Sequence, residues 1–251
     1  MGNITTTDRI YLDVLYRVHA TPLIHLGCKS LNRLSAFHVG YCSYRPDRVS
    51  EDASCLQAFR EQIVERYRYY APAMGTTEML RRIAGDEDRA FDLFFEELDL
   101  FLVAHPGATQ REPARFVNLA PVPVSADLEY LAERPLMYLP EMSVGCLRAE
   151  LDGHGLAASE DGHPECSDLD GFDHWVRKEL GLKGLFRWEN AIVREHCGDE
   201  AAAYSWAAKE LKAYRLSNGP VTVFQRGVLD RKTGAIEKYG DPANTGSEGS
   251  R

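Results

Sequence analysis

Residues 21–101 align with residues 134–214 without a gap, at a constant shift of 113. Identical pairs include Pro22/Pro135, Leu23/Leu136, Ser30/Ser143, Gly40/Gly153, Phe59/Phe172 and Glu97/Glu210. The triplet Gly85-Asp86-Glu87 returns as Gly198-Asp199-Glu200. Other pairs keep their chemistry, as in Ile24/Met137, Ile63/Val176, Phe91/Tyr204 and Phe101/Tyr214. One ungapped shift that retains glycine, proline and a polar triplet points to a tandem duplication, so both halves should share one architecture.

The spacing of apolar residues makes that architecture helical. After the triplet, the first copy places Ala90, Phe91, Phe94, Phe95, Leu98, Phe101 and Leu102 at steps of three and four. The second places Ala203, Tyr204, Ala207, Ala208, Leu211 and Tyr214 in the same rhythm, which puts one apolar stripe on a helix. Phe59, Ile63 and Tyr67, matched by Phe172, Val176 and Leu180, mark a preceding helix. Met79 and Ile83, matched by Ile192 and His196, mark a shorter one between them. Leu31, Leu34 and Tyr41, matched by Val144, Leu147 and His154, form the first helix of each copy. We expect it to end by Gly40 and Gly153, after an extended lead-in at Pro22 and Pro135.

The triplet needs no catalytic explanation. Glycine suits the left-handed residue that closes one helix. Asp86 or Asp199 then caps the next by accepting a backbone N–H. Glu87 and Glu200 sit in its first turn, where the helix dipole favours negative charge.

The expected fold is therefore mainly α, with two tandem pseudo-symmetric helical modules at residues 9–104 and 125–217. Residues 105–124, with Pro106, Pro113, Pro121 and Pro123, read as a semi-rigid spacer. In residues 218–251, Val221, Val223 and Gly227–Leu229 suggest a short hairpin. Asp241 to Arg251 read as a disordered tail. If the single module pairs as a symmetric dimer, the fused chain imitates it as a monomer with a pseudo-two-fold axis. The copies are not equivalent, because Phe94 and Phe95 become Ala207 and Ala208. Trp188 and Trp206, absent from the first copy, are expected to refill that space.

Composition narrows the function. No stretch approaches the eighteen or so apolar residues of a membrane helix, and Met1 to Asp8 lack a secretory pattern. A cytoplasmic location is expected, with the six cysteines as free thiols. A formal charge of −9 argues against nucleic acid. The Arg66-Tyr-Arg-Tyr-Tyr70 run could stack on bases, but Tyr67 already belongs to an apolar stripe.

No HExxH, GxSxG, P-loop or GxGxxG motif is present, and neither a catalytic residue nor a cofactor is assigned. His154, His163, Cys166 and His174 suit zinc by type. Their spacing is irregular and the equivalents Tyr41, Ser50, Ala53 and Glu61 form no site, so no metal is expected.

One asymmetry stands out. From Glu150 to Trp175 there are eight acidic residues and no Lys or Arg, whereas the equivalent Phe37 to Gln62 carries Arg45, Arg48 and Arg60. An acidic loop can be merely solvated. It can also be a docking surface for a cationic partner, raising the association rate and setting specificity. The candidate partner-binding residues are Asp152, Glu160, Asp161, Glu165, Asp168, Asp170 and Asp173.

Arg134-Pro-Leu-Met-Tyr-Leu, with Leu147-Arg-Ala149 and Gly153 downstream, resembles the opening of a small bacterial helical module. Gly85 to Phe101 is similar to that module's Gly-Asp-Glu, Ala-aromatic and Phe-Phe-Glu-x-Leu stretch. Thr21, His25 and Pro140 depart from its Arg, Tyr and Gly. The resemblance implies a protein of the toxin-immunity kind and carries no catalytic residue with it. The expectation is thus a non-catalytic, immunity- or antitoxin-like protein that docks a basic protein through its acidic second module. The competing expectation is a small-molecule enzyme or sensor with its site between the modules.

Overall fold

The computed structural model describes residues 10–44, 46–69, 74–106, 116–123, 135–137, 139–160, 169–182, 187–218, 222–229 and 236–238. The fold is mainly α. The first half contains α1 (Ile10–Ala20), α2 (Pro22–His25), α3 (Leu31–Tyr44), α4 (Pro46–Tyr67), α5 (Thr76–Ala84) and α6 (Glu87–Ala104). The second begins with a 3-10 turn (Pro135–Met137) and continues with α7 (Val144–Glu160), α8 (Leu169–Glu179), α9 (Trp188–Glu195) and α10 (Glu200–Asn218). Elements begin at 22 and 135, 31 and 144, and 87 and 200, each pair 113 residues apart.

The local chemistry of the triplet explains two of these starts. Gly85 and Gly198 take φ of 73° and 86°, a left-handed backbone that suits glycine. Asp86 accepts from the Arg89 N–H at 2.9 Å, and Asp199 from the Ala202 N–H at 3.0 Å. The glutamates do more than face a dipole. Glu87 accepts from the Ser30 hydroxyl at 2.7 Å, the Asn32 N–H at 3.1 Å and Arg81 Nε at 2.8 Å. Glu200 likewise accepts from the Val144 N–H at 3.3 Å. Each therefore ties the start of one helix to the start of another, α6 to α3 and α10 to α7.

Gly40 and Gly153 do not end their helices, which run on to Tyr44 and Glu160. They lie inside α3 and α7, where the two helices cross. A Cβ on Gly40 would sit 1.9 Å from the Glu150 carbonyl oxygen, and one on Gly153 2.1 Å from that of Phe37. At a shift of 113 Phe37 is the counterpart of Glu150, so these are one contact made twice. Contacts that pair 37 with 153 and 40 with 150 make the helices antiparallel. Only glycine lets backbone approach backbone this closely.

Pro22 also departs from expectation: it is the first residue of α2, where its missing N–H costs nothing. The 3-10 turn begins at Pro135 in the same way. Around the crossing, Leu15, Leu31, Phe37, Phe59, Phe91 and Phe101 of the first half join Leu147, Phe172, Trp188 and Tyr204 of the second in one core. Trp188 does refill the second half. Its ring meets Phe172 edge-on at 5.2 Å, as Phe94 meets Phe59 at 5.5 Å in the first.

The stretch expected to be a spacer contains a strand, β1 (Phe116–Pro123), which pairs antiparallel with β2 (Thr222–Leu229). β1 is an edge strand, the position that tolerates proline, and its register shifts between Asn118 and Pro121. Val223 and Gly227 share the single strand β2, and the hairpin's other arm is β3 (Ile236–Lys238). Residues 241–251 lie outside the described residues. Cys28, Cys146 and Cys197 are free thiols, and Cys166 lies outside the described residues. Among the described residues no helix is long and apolar enough to cross a membrane.

Candidate functional site

The acidic segment follows α7 and leads into α8. Its described carboxylates divide by their partners. Asp152 lies one turn beyond Arg148 on α7 and accepts from its Nε at 3.0 and 2.9 Å. Arg187 Nη2 approaches the same carboxylate at 3.5 Å. Burial pushes the Asp152 carboxyl up to about 6, against the pull of these two guanidinium groups. Asp152 is thus an internal ion-pair member and does not present a free charge to solvent.

Glu160, at the end of α7, joins the halves. It accepts from Arg17 Nη2 at 2.8 Å and from the Tyr41 hydroxyl at 2.7 Å, anchoring α7 to α1 and α3. Asp173 on α8 pairs with Arg177 one turn later at 2.5 Å. Asp161, Glu165 and Asp168 lie outside the described residues. Asp170 falls on α8 with its side chain outside them. Three of the seven candidates have partners within the chain, and the remaining four cluster in residues 161–170.

A polar cluster that sequence reasoning did not assemble sits beside Asp152. Arg187 precedes α9 and pairs with Glu189, whose side chain is 1% exposed. Its Nη1 also donates to the carbonyls of Leu23 and Ile24, at 3.1 and 3.0 Å, across the halves. The Arg148 guanidinium stands 5.6 Å from the centre of the Trp188 ring, a cation–π contact. This group clamps α2 of the first half onto α9 of the second. The four-residue spacing of Arg148 and Asp152 was visible in sequence and marks such a pair.

Two of the four zinc-type residues fall among the described residues. His154 lies on α7 and His174 on α8, while His163 and Cys166 lie outside the described residues. Among the described residues no group of three or more His, Cys, Asp or Glu could hold a metal ion. Tyr67 of the Arg-Tyr run packs on the core and donates to Glu97 at 2.8 Å, and Arg66 pairs with the same carboxylate at 3.3 Å. Those two side chains are committed internally. Tyr70 lies outside the described residues.

No family model, curated protein or solved structure matches this chain.

Proposed function

We propose that the protein is a non-catalytic binding protein of the immunity or antitoxin kind. Its second module docks a basic protein partner through residues 161–170. The observation that carries this reading is the charge asymmetry between equivalent segments: eight acidic residues without Lys or Arg at 150–175, against three arginines at 37–62. Internal pairing of Asp152, Glu160 and Asp173 accounts for part of that charge and narrows the docking set to Asp161, Glu165, Asp168 and Asp170. Acidic groups at a docking surface steer a cationic partner and set register more than they set affinity.

The test is a pull-down from the native organism at low and high salt. A stoichiometric basic protein should bind at low salt and be lost at high salt. It should also be lost when Asp161→Asn, Glu165→Gln, Asp168→Asn and Asp170→Asn are combined. Asp152→Asn alone should leave binding unchanged, since that carboxylate is turned inward. Recovery that ignores salt and the fourfold change would refute the reading.

A further inference from the structure

The halves differ most at one pair of equivalent positions, Gly75 and Trp188. In the second half the Trp188 side chain is fully buried against Phe172 and under Arg148. In the first half a cavity of about 240 Å³ lies at the corresponding place. Its lining includes Leu34, Phe59 and Phe94, the counterparts of Leu147, Phe172 and Ala207. Leu15 on α1 completes the apolar floor. Gly75, Thr76 and Thr77 stand at the more exposed end, and Ser35 and His38 add polar atoms to the wall.

We propose that this cavity is a binding site for a flat, uncharged aromatic molecule of one or two rings, which takes the place that the Trp188 indole takes in the second half. Three observations carry it. The first is size: an enclosed apolar cavity of about 150 Å³ holds benzene, and this one, open to solvent on one side, has about 240 Å³, room for two fused rings. The second is chemistry. Among the described residues no charged side chain lines the cavity, and an ionised ligand would lose its hydration without compensation. Ser35 and Thr77 offer hydrogen bonds to a single polar edge. Burial holds the His38 imidazole neutral, with a pKa of about 4, so it does not add a charge. The third is the repeat itself. Where the second half closes the space with its own indole and Arg148, the first places Gly75 and Ser35 there, with the Phe94 ring along one wall. A Cβ on Gly75 would meet nothing closer than Thr77 Oγ1 at 4.0 Å. The site is independent of the acidic segment.

The experiment is calorimetric titration of the full chain with indole, beside Gly75→Trp, whose side chain should occupy the cavity. Gly75 has φ −68° and ψ 158°, a backbone that tryptophan adopts freely. The wild type should bind indole saturably with one site per chain, and Gly75→Trp at least about ten-fold more weakly while keeping its circular dichroism. Amide shifts of the labelled wild type should cluster at Gly75, Thr76 and Thr77 on adding indole, a readout that does not depend on the variant folding. Indole-3-carboxylate should bind at least about ten-fold more weakly than indole. Absence of saturable binding, equal affinity of the two proteins, amide shifts centred elsewhere, or equal affinity for the carboxylate would overturn the proposal.

Discussion

At the scale of single residues, partners decide what a charge can do. Asp152 and Glu87 are both carboxylates beside arginine, and they respond in opposite directions. Burial raises Glu87, but hydrogen bonds from Ser30, Asn32 and Arg81 outweigh it and hold the group below its ordinary 4.5. For Asp152 burial dominates and lifts the carboxyl from 3.8 to about 6. The folded state then binds more protons at this site than the unfolded chain between about pH 4 and pH 6. Stability from this group is therefore greatest at the acid end of that window and is lost as pH rises through it. Urea unfolding of wild type and Asp152→Asn should show the wild type losing ground to the variant from pH 4 to pH 6. A constant difference across that range would contradict the assignment. The sequence could count acidic residues in this region but could not tell Asp152 from Asp161. Part of the answer, the Arg148–Asp152 spacing, lay in plain view. The rest depended on Arg187, thirty-five residues away in the chain.

At the scale of elements, local signals were legible and close approaches were not. Caps at Asp86 and Asp199 need only a glycine, an acid and a backbone N–H three residues on, so the triplet announced them. The apolar stripes of α6 and α10 were equally plain, because a period of three and four is written along the chain. Gly40 and Gly153 carried a signal that could be read two ways. A glycine late in an apolar pattern can close a helix or admit a neighbour, and only the position of the other helix decides. Their substitution separates the two roles. Gly40→Ala and Gly153→Ala each place a Cβ within about 2 Å of a carbonyl oxygen that cannot rotate away. Each should cost near or above the upper end of the roughly 1–3 kcal/mol typical of overpacking. Gly145→Ala makes a similar overlap, 2.2 Å, but with the guanidinium of Arg33, a flexible group that can swing aside. Denaturant titration should therefore rank Gly145→Ala as clearly the mildest of the three. Equal costs would mean that α3 and α7 can part freely.

At the scale of the whole molecule, the halves are joined by more than a linker. The paired glycine contacts lie at the crossing of α3 and α7. Asn32 reaches Glu141 at 2.7 Å, Arg17 and Tyr41 hold Glu160, and Arg187 holds the carbonyls of α2. Each of these links crosses from one half to the other. Their consequence is that buried residues of both halves join in one core. The shift of 113 was legible in the sequence, yet the way the two stretches meet was not, since matching stretches fit beads on a string as well as a fused pair. The halves also differ in sequence, with acids at 161–170 in one and Gly75 at the position of Trp188 in the other. Differential scanning calorimetry of the full chain tests this unity most directly. A single transition is expected, with calorimetric and van't Hoff enthalpies equal, and Gly40→Ala should move that whole transition downward. Two separable transitions, or a Gly40→Ala variant in which only one part of the heat absorption shifts, would show that the halves fold as independent bodies and would contradict the account.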